Sequence, residues 1–177
     1  MVDVVDKVTR SRMMSGIRGK DTKPELALRR ALHRLGFRFR LHTPLPGRPD
    51  IVLPKHRTVV LVHGCFWHRH KRCTFATTPA SNVAFWKEKF KQTIIRDRRN
   101  VKQLLKEGWR VAVVWECHID EHGALVIAET LARWLRRTNE ASLELPPIGS
   151  IRRTSGRRFA TEKDRVSTAR SIALTRL

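Results

Sequence analysis

Residues 50–65 read Asp50-Ile51-Val52-Leu53-Pro54-Lys55-His56-Arg57-Thr58-Val59-Val60-Leu61-Val62-His63-Gly64-Cys65. Ile51 to Leu53 is a short apolar run, and Pro54 to Arg57 turns the chain into a longer one. Thr58 to Val62 is continuous and β-branched, the pattern of a strand covered on both faces. Asp50 reaches the first run from a stiff loop, Pro44-Leu45-Pro46-Gly47-Arg48-Pro49.

Working upstream, Phe37-Arg38-Phe39-Arg40-Leu41 alternates with period two, which predicts a half-buried strand. Thr22-Lys23-Pro24-Glu25 has the form of a helix start, with Leu28, Leu32 and Leu35 at helical spacing and Gly36 as the stop. Downstream, residues 82–107 predict a long helix ending at Gly108, with Trp86, Phe90, Ile94, Val101 and Leu104 as its apolar stripe. Trp109 to Trp115 predicts a buried strand, with Glu116 and Cys117 at its end. Residues 123–136 predict a last helix. The order helix, three strands, helix, strand, helix describes one α/β domain, a central sheet flanked by helices. Strand order cannot be read from it. The domain is expected over 21–137, between a basic stretch at 1–20 and a basic, flexible tail at 138–177 that contains Pro146-Pro147.

The chain has 37 Lys+Arg against 16 Asp+Glu, a formal charge of +21. This excess is not confined to the tail, because the residues before 138 are themselves strongly basic. Such a surface favours nucleic acid as partner. No long amphipathic basic helix stands apart as a membrane binder, and no run is long enough to span a bilayer. The N-terminus lacks an apolar signal segment, and three cysteines do not make a disulfide framework. Cytoplasmic residence is the expectation.

Residues 63–73, His-Gly-Cys-Phe-Trp-His-Arg-His-Lys-Arg-Cys, carry metal ligands, proton carriers and an aromatic pair. Cys65, His70 and Cys73 have short ligand spacing, and Cys117 closes a Cys3His set suited to structural zinc. The bland alternative is a buried Cys117 with two incidental cysteines. Zinc is favoured, because all three cysteines lie at strand ends or in a polar loop.

Among the carboxylates, Asp50 is placed to hold a hard cation such as Mg²⁺, although one Pro-Asp pair alone would read as a turn cap. Glu25 continues the Leu28–Leu32–Leu35 stripe and equally fits a capping box. Asp97 falls on the apolar face of its helix, where a carboxylate needs a partner: Arg96, Arg98, Arg99 or a histidine. It is expected to orient a charged group. His63 and His68 remain free to move protons or contact phosphate, with His68 the first choice of general base. Phe66 and Trp67, adjacent on an extended loop, would not both enter one core. Insertion between base steps and chance exposure of one ring are equal readings. Trp86 is by default a core residue.

The runs Pro46-Gly47-Arg48-Pro49-Asp50, His63-Gly64-Cys65-Phe66-Trp67-His68, Arg96-Asp97-Arg98-Arg99, Gly108-Trp109-Arg110-Val111 and Val114-Trp115-Glu116-Cys117 resemble the very short patch repair (Vsr) endonucleases of bacteria. The resemblance covers about residues 3–136. It implies a restriction-endonuclease-like mixed sheet and a monomer that nicks duplex DNA 5′ of the thymine in T·G mismatches, which arise when 5-methylcytosine deaminates. It implies Mg²⁺ at Asp50 and the Val62 backbone carbonyl, with Glu25, His63, His68 and Asp97 around it. Structural Zn²⁺ would be held by Cys65, His70, Cys73 and Cys117, with His68 an alternative to His70. Phe66, Trp67 and Trp86 would intercalate from the major groove, and Met14 of a DNA-contacting arm from the minor groove. Mismatch-repair proteins and a DNA polymerase would follow downstream. An ordinary restriction or resolvase-type nuclease of the same fold, and a zinc-stabilised DNA-binding module without catalysis, are the competing readings.

Overall fold

A computed structural model describes residues 8–9 and 19–145. Helix α1 (Lys23–Arg34) leads to β1 (Ile51–Leu53) and, through a 3-10 turn at Pro54–His56, to β2 (Thr58–His63). A four-residue helix α2 (Cys65–His68) and the long α3 (Val83–Lys106) precede β3 (Arg110–Trp115). Then come α4 (Glu116–His122), α5 (Ala124–Arg137) and β4 (Ser142–Leu145). The strands lie in the order β1-β2-β3-β4. β1 pairs antiparallel with β2, while β2–β3 and β3–β4 are parallel. This is the mixed central sheet flanked by helices that the sequence leads one to expect.

All six residues of β2 are buried, as its unbroken apolar run requires. Successive side chains point to opposite faces. Val60 and Val62 therefore join Leu28, Leu32, Ile127 and Leu131 beneath α1 and α5. Val59 and Leu61 meet Leu104 and Val111 on the face covered by α3. Among the described residues no helix is long and apolar enough to cross a membrane.

Three features differ from the sequence expectation. Phe37–Leu41 is not a strand; only Arg40 bridges to Val52, although Phe37 enters the core and Phe39 packs against it, as the alternation expects. Cys65–His68, read as extended loop, forms a helical turn. Ser142–Leu145, assigned to the tail, pairs with Val111–Val114 as β4. The folded part therefore runs at least to Leu145, past the expected boundary at 137. The arm with Met14 and residues 146–177 lie outside the described residues.

Arg110 ties this last excursion down. Its guanidinium lies 4.0 Å from the centroid of the Trp134 ring. It donates to the carbonyls of Trp134 (3.2 Å), Thr138 (3.1 Å) and Glu140 (3.0 Å), closing the C-terminus of α5 and the link into β4. Three carbonyls, two of them in part-buried contacts, share one charged donor group, so Arg110→Ala should cost about 2–3 kcal/mol of unfolding free energy. Urea denaturation monitored by circular dichroism measures this; a loss below about 0.5 kcal/mol would assign the clamp no weight.

Candidate active site and metal centre

The parallel pairing of β2 and β3 sets His63 beside Trp115 and Val62 beside Val114. The β1–β2 turn brings Asp50 back to the same end, where the Asp50 carboxylate accepts a 2.7 Å hydrogen bond from the Val62 N–H. Strand ends are where a sheet can present side chains to solvent while its backbone stays rigid. Asp50, His63, His68, Asp97 and the thiols all converge here.

His68 projects from α2 and shares a 2.7 Å hydrogen bond, Nδ1 to Asp97 Oδ2, with α3. Burial alone would raise the Asp97 carboxyl, but the His68 hydrogen bond and the charges around it hold it below its ordinary value. Asp97 does lie on the inward side of its helix. A histidine, rather than a flanking arginine, is its partner. With Nδ1 facing the carboxylate, the other ring nitrogen of His68 is left to exchange protons. His63 stacks on His68 with centroids 3.9 Å apart and planes 6° apart. Burial pushes His63 down to about 3, helped by the nearby His68. His63 is therefore neutral at physiological pH, and among the described residues no cation lies beneath the His68 ring.

Asp50 is pushed up to about 6, chiefly by burial; the Val62 N–H opposes this and Glu25 adds to it. Glu25 itself is buried and fully engaged. It accepts from the Asp21 N–H (2.8 Å) and the Thr22 hydroxyl (2.7 Å) and pairs with Arg29 at 3.1 Å. The expected capping box is not formed, since Thr22 makes no side-chain cap bond and Glu25 reaches back to Asp21 instead; Glu25 also lies within electrostatic reach of Asp50. A half-buried carboxylate at a strand end beside the Val62 main chain offers oxygen donors of the kind a hard cation takes.

Cys65, His70, Cys73 and Cys117 bring four donor atoms within 4.8 Å of one another. His70 Nδ1 lies 3.5 Å from Cys65 Sγ and 3.3 Å from Cys117 Sγ. A tetrahedral zinc with bonds of about 2.0–2.3 Å needs donor spacings of roughly 3.3–3.8 Å, so the set fits. The shared proton with Cys117, and then burial, push the Cys65 thiol well up. Burial raises Cys73 as well. Thiols so reluctant to ionise alone are the ones a bound dication would deprotonate. His70 belongs to this cluster and His68 to the other, which separates the two histidines that sequence spacing left interchangeable.

Phe66 and Trp67 do not diverge as an extended loop would have them. On the helical turn of α2 they pack edge to face at 5.0 Å, and Phe66 meets Trp86 at 5.5 Å. The three rings are half-buried rather than core. A cleft of about 780 Å³ opens beside His63, His68 and Asp97, with Arg69, Arg72, Arg98 and Lys102 in its walls.

Sequence reasoning overlooked three supports. Trp115 stacks on His70 at 4.1 Å and touches His63 edge-on at 5.2 Å, so one indole spans both clusters. Its Nε1–H donates to Glu144 at 2.8 Å, from β4. Glu116 accepts from the Cys65 N–H at 2.6 Å and fixes the start of α2. Glu116 was visible as a strand-end acid, but nothing in its spacing joined it to Cys65.

The sequence pattern of the family described as DNA mismatch endonuclease Vsr matches residues 2–74. The chain is 47% identical over 126 residues to the type II nicking enzyme V.XorIIP of Xanthomonas oryzae pv. oryzae, covering 71% of this chain and 92% of that protein. It is 42% identical over 139 residues to the DNA mismatch endonuclease Vsr of Escherichia coli, covering 76% and 88%. With the type II nicking enzyme V.NmeAIP of Neisseria meningitidis the identity is 41% over 142 residues, covering 80% and 99%.

A carboxylate kept for a cation should be a burden to the metal-free fold. With its folded value near 6 and an unfolded value near 4, ionised Asp50 lowers stability as pH rises through this window. Asp50→Asn keeps an acceptor for Val62 and removes the charge. Without divalent ions at pH 8 its thermal midpoint should equal or exceed that of the parent; a drop of several degrees would make Asp50 a structural residue.

Proposed function

The chain belongs to the Vsr family of DNA mismatch endonucleases, and from that premise we propose that it nicks duplex DNA on the 5′ side of the thymine in a T·G mismatch. The observation that carries the chemistry is the Asp97–His68 hydrogen bond beside Asp50, with neutral His63 stacked beneath. The reading also rests on the Escherichia coli relative, whose name specifies mismatched DNA.

The placement of these groups supports the following roles; Met14, outside the described residues, takes its role from the family resemblance alone. Asp50, with the Val62 carbonyl, is assigned to Mg²⁺, which when bound polarises the scissile phosphate and stabilises the leaving oxygen. His68 takes the proton of the attacking water on the ring nitrogen away from Asp97. The Asp97 carboxylate holds the tautomer and offsets the charge of the imidazolium. His63 packs the ring from behind. Glu25 acts through Arg29 and the field at Asp50, as a positioning residue. Arg69, Arg72, Arg98 and Lys102 suit the phosphate backbone. Phe66, Trp67 and Trp86 form one aromatic wedge immediately before His68, so a parted base step and the general base would be neighbours. Met14 is assigned to the opposite groove. The thiolate cluster is assigned to structural Zn²⁺, which would pin the Cys65–Cys73 loop to the start of α4. The place of action follows that of bacterial DNA, in the cytoplasm, with mismatch-repair proteins and a DNA polymerase proposed as downstream partners.

The direct test is a duplex with one T·G mismatch, each strand labelled separately, with and without Mg²⁺. A cut confined to the thymine strand and dependent on Mg²⁺ is expected. Cutting of both strands, or of paired duplex equally well, defeats the assignment. His68→Ala should lower the single-turnover rate by about 10²–10⁴-fold. A near-parental rate removes His68 from the reaction.

Mg²⁺ must also displace the Asp50 proton below about pH 6. Its apparent affinity should therefore weaken about tenfold per unit as pH falls below that value, and level off above it. Calorimetric titration at pH 5, 6 and 7.5 measures this; a flat profile shows that another group holds the ion.

A further inference from the structure

No lysine or arginine occurs from Val111 to Ala132, in a chain that has 37 of them among 177 residues. Within that stretch α4 (Glu116–His122) carries Glu116, Asp120 and Glu121. On this helix His118, Glu121 and His122 stand at i, i+3 and i+4, a spacing that gathers side chains on one face. Their donor atoms lie within 4.8 Å of one another. The two imidazole rings have centroids 4.4 Å apart at 76°.

Their internal contact does not exhaust these donors. The Glu121–His122 approach is 3.8 Å, longer than a hydrogen bond, and these side chains are 53% and 43% exposed. Such an ion pair contributes little. Two imidazoles and one carboxylate form a donor set of borderline softness, suited to zinc, cobalt or nickel and poor for magnesium or calcium. Exposure leaves water free to complete the coordination. The neighbouring cluster is no obstacle. Three thiolates around a dication carry a net charge of −1, so a filled Cys65–His70–Cys73–Cys117 site would attract a second cation at the residue following Cys117.

We propose that His118, Glu121 and His122 form a second, weaker site for a borderline divalent cation of the Zn²⁺ class, separate from both the thiolate cluster and the Asp50 centre. Occupancy would stabilise α4 between β3 and α5. The proposal does not depend on which DNA is cleaved.

The test uses the full chain loaded with one equivalent of zinc and titrated calorimetrically with further Zn²⁺. One additional, weaker equivalent is expected. His118→Ala/His122→Ala should weaken that second event by about tenfold or more. The first equivalent should persist, read from the sulfur-to-cobalt charge-transfer band of Co²⁺-substituted protein. Because residue 118 adjoins Cys117, His122→Ala alone provides a variant remote from the thiolates, and the same loss is expected of it. A parental protein that takes no second equivalent overturns the proposal. So does a second equivalent that survives both variants, and so does one abolished by His68→Ala, which would assign it to the other histidine pair.

Discussion

The parallel pairing of β2 with β3, residue for residue from Thr58–Arg110 to His63–Trp115, is the constraint on which the rest of the molecule depends. A shift by one residue would turn Val60 and Val62 from the α1/α5 side to the α3 side and bury the wrong set. It would also part His63 from Trp115, and Cys65 from Cys117. The same contacts that bury the apolar alternation thus align the two groups of ligands. Packing and chemistry are specified by one register.

Much of this was legible in the residues, for identifiable physical reasons. The continuous run Thr58–Val62 has only one comfortable environment, between two helical layers. Asp97 announced itself because a carboxylate on an apolar stripe demands a partner. The cysteine–histidine set showed its chemistry through spacing and the rarity of its components. What escaped were contacts between segments far apart in the chain. Trp115 with Glu144, and Cys65 with Glu116, join residues 29 and 51 positions apart, and no periodicity encodes such a pairing. β4 was missed because Ser142–Leu145 is short and half-polar, and only the open edge of β3 makes it a strand. Phe37–Leu41 misled for the opposite reason. Its alternation was genuine, but it found a single bridge at Arg40. Met14 and the residues after 145 lie beyond what the structure describes.

The electrostatics of the site are organised by contrast. His63 is buried and kept neutral, whereas His68 is half-buried and hydrogen-bonded to the Asp97 carboxylate. Asp50 is burdened by burial, whereas Asp97 is relieved by its imidazole. Two carboxylates pushed in opposite directions give one small site distinct acid–base environments at a single pH. In a chain of +21, the general positive field favours polyanions, and these local contrasts sit within it.

The anchoring of Trp115 by Glu144 has a consequence for the order in which the molecule is made. Synthesis proceeds from the N-terminus, so both histidines and all three cysteines leave the ribosome before the glutamate that steadies the indole between them. A nascent chain holds both side-chain clusters without the brace that fixes the indole between them. The geometry around Trp115 is therefore complete only once the chain through Glu144 has been made.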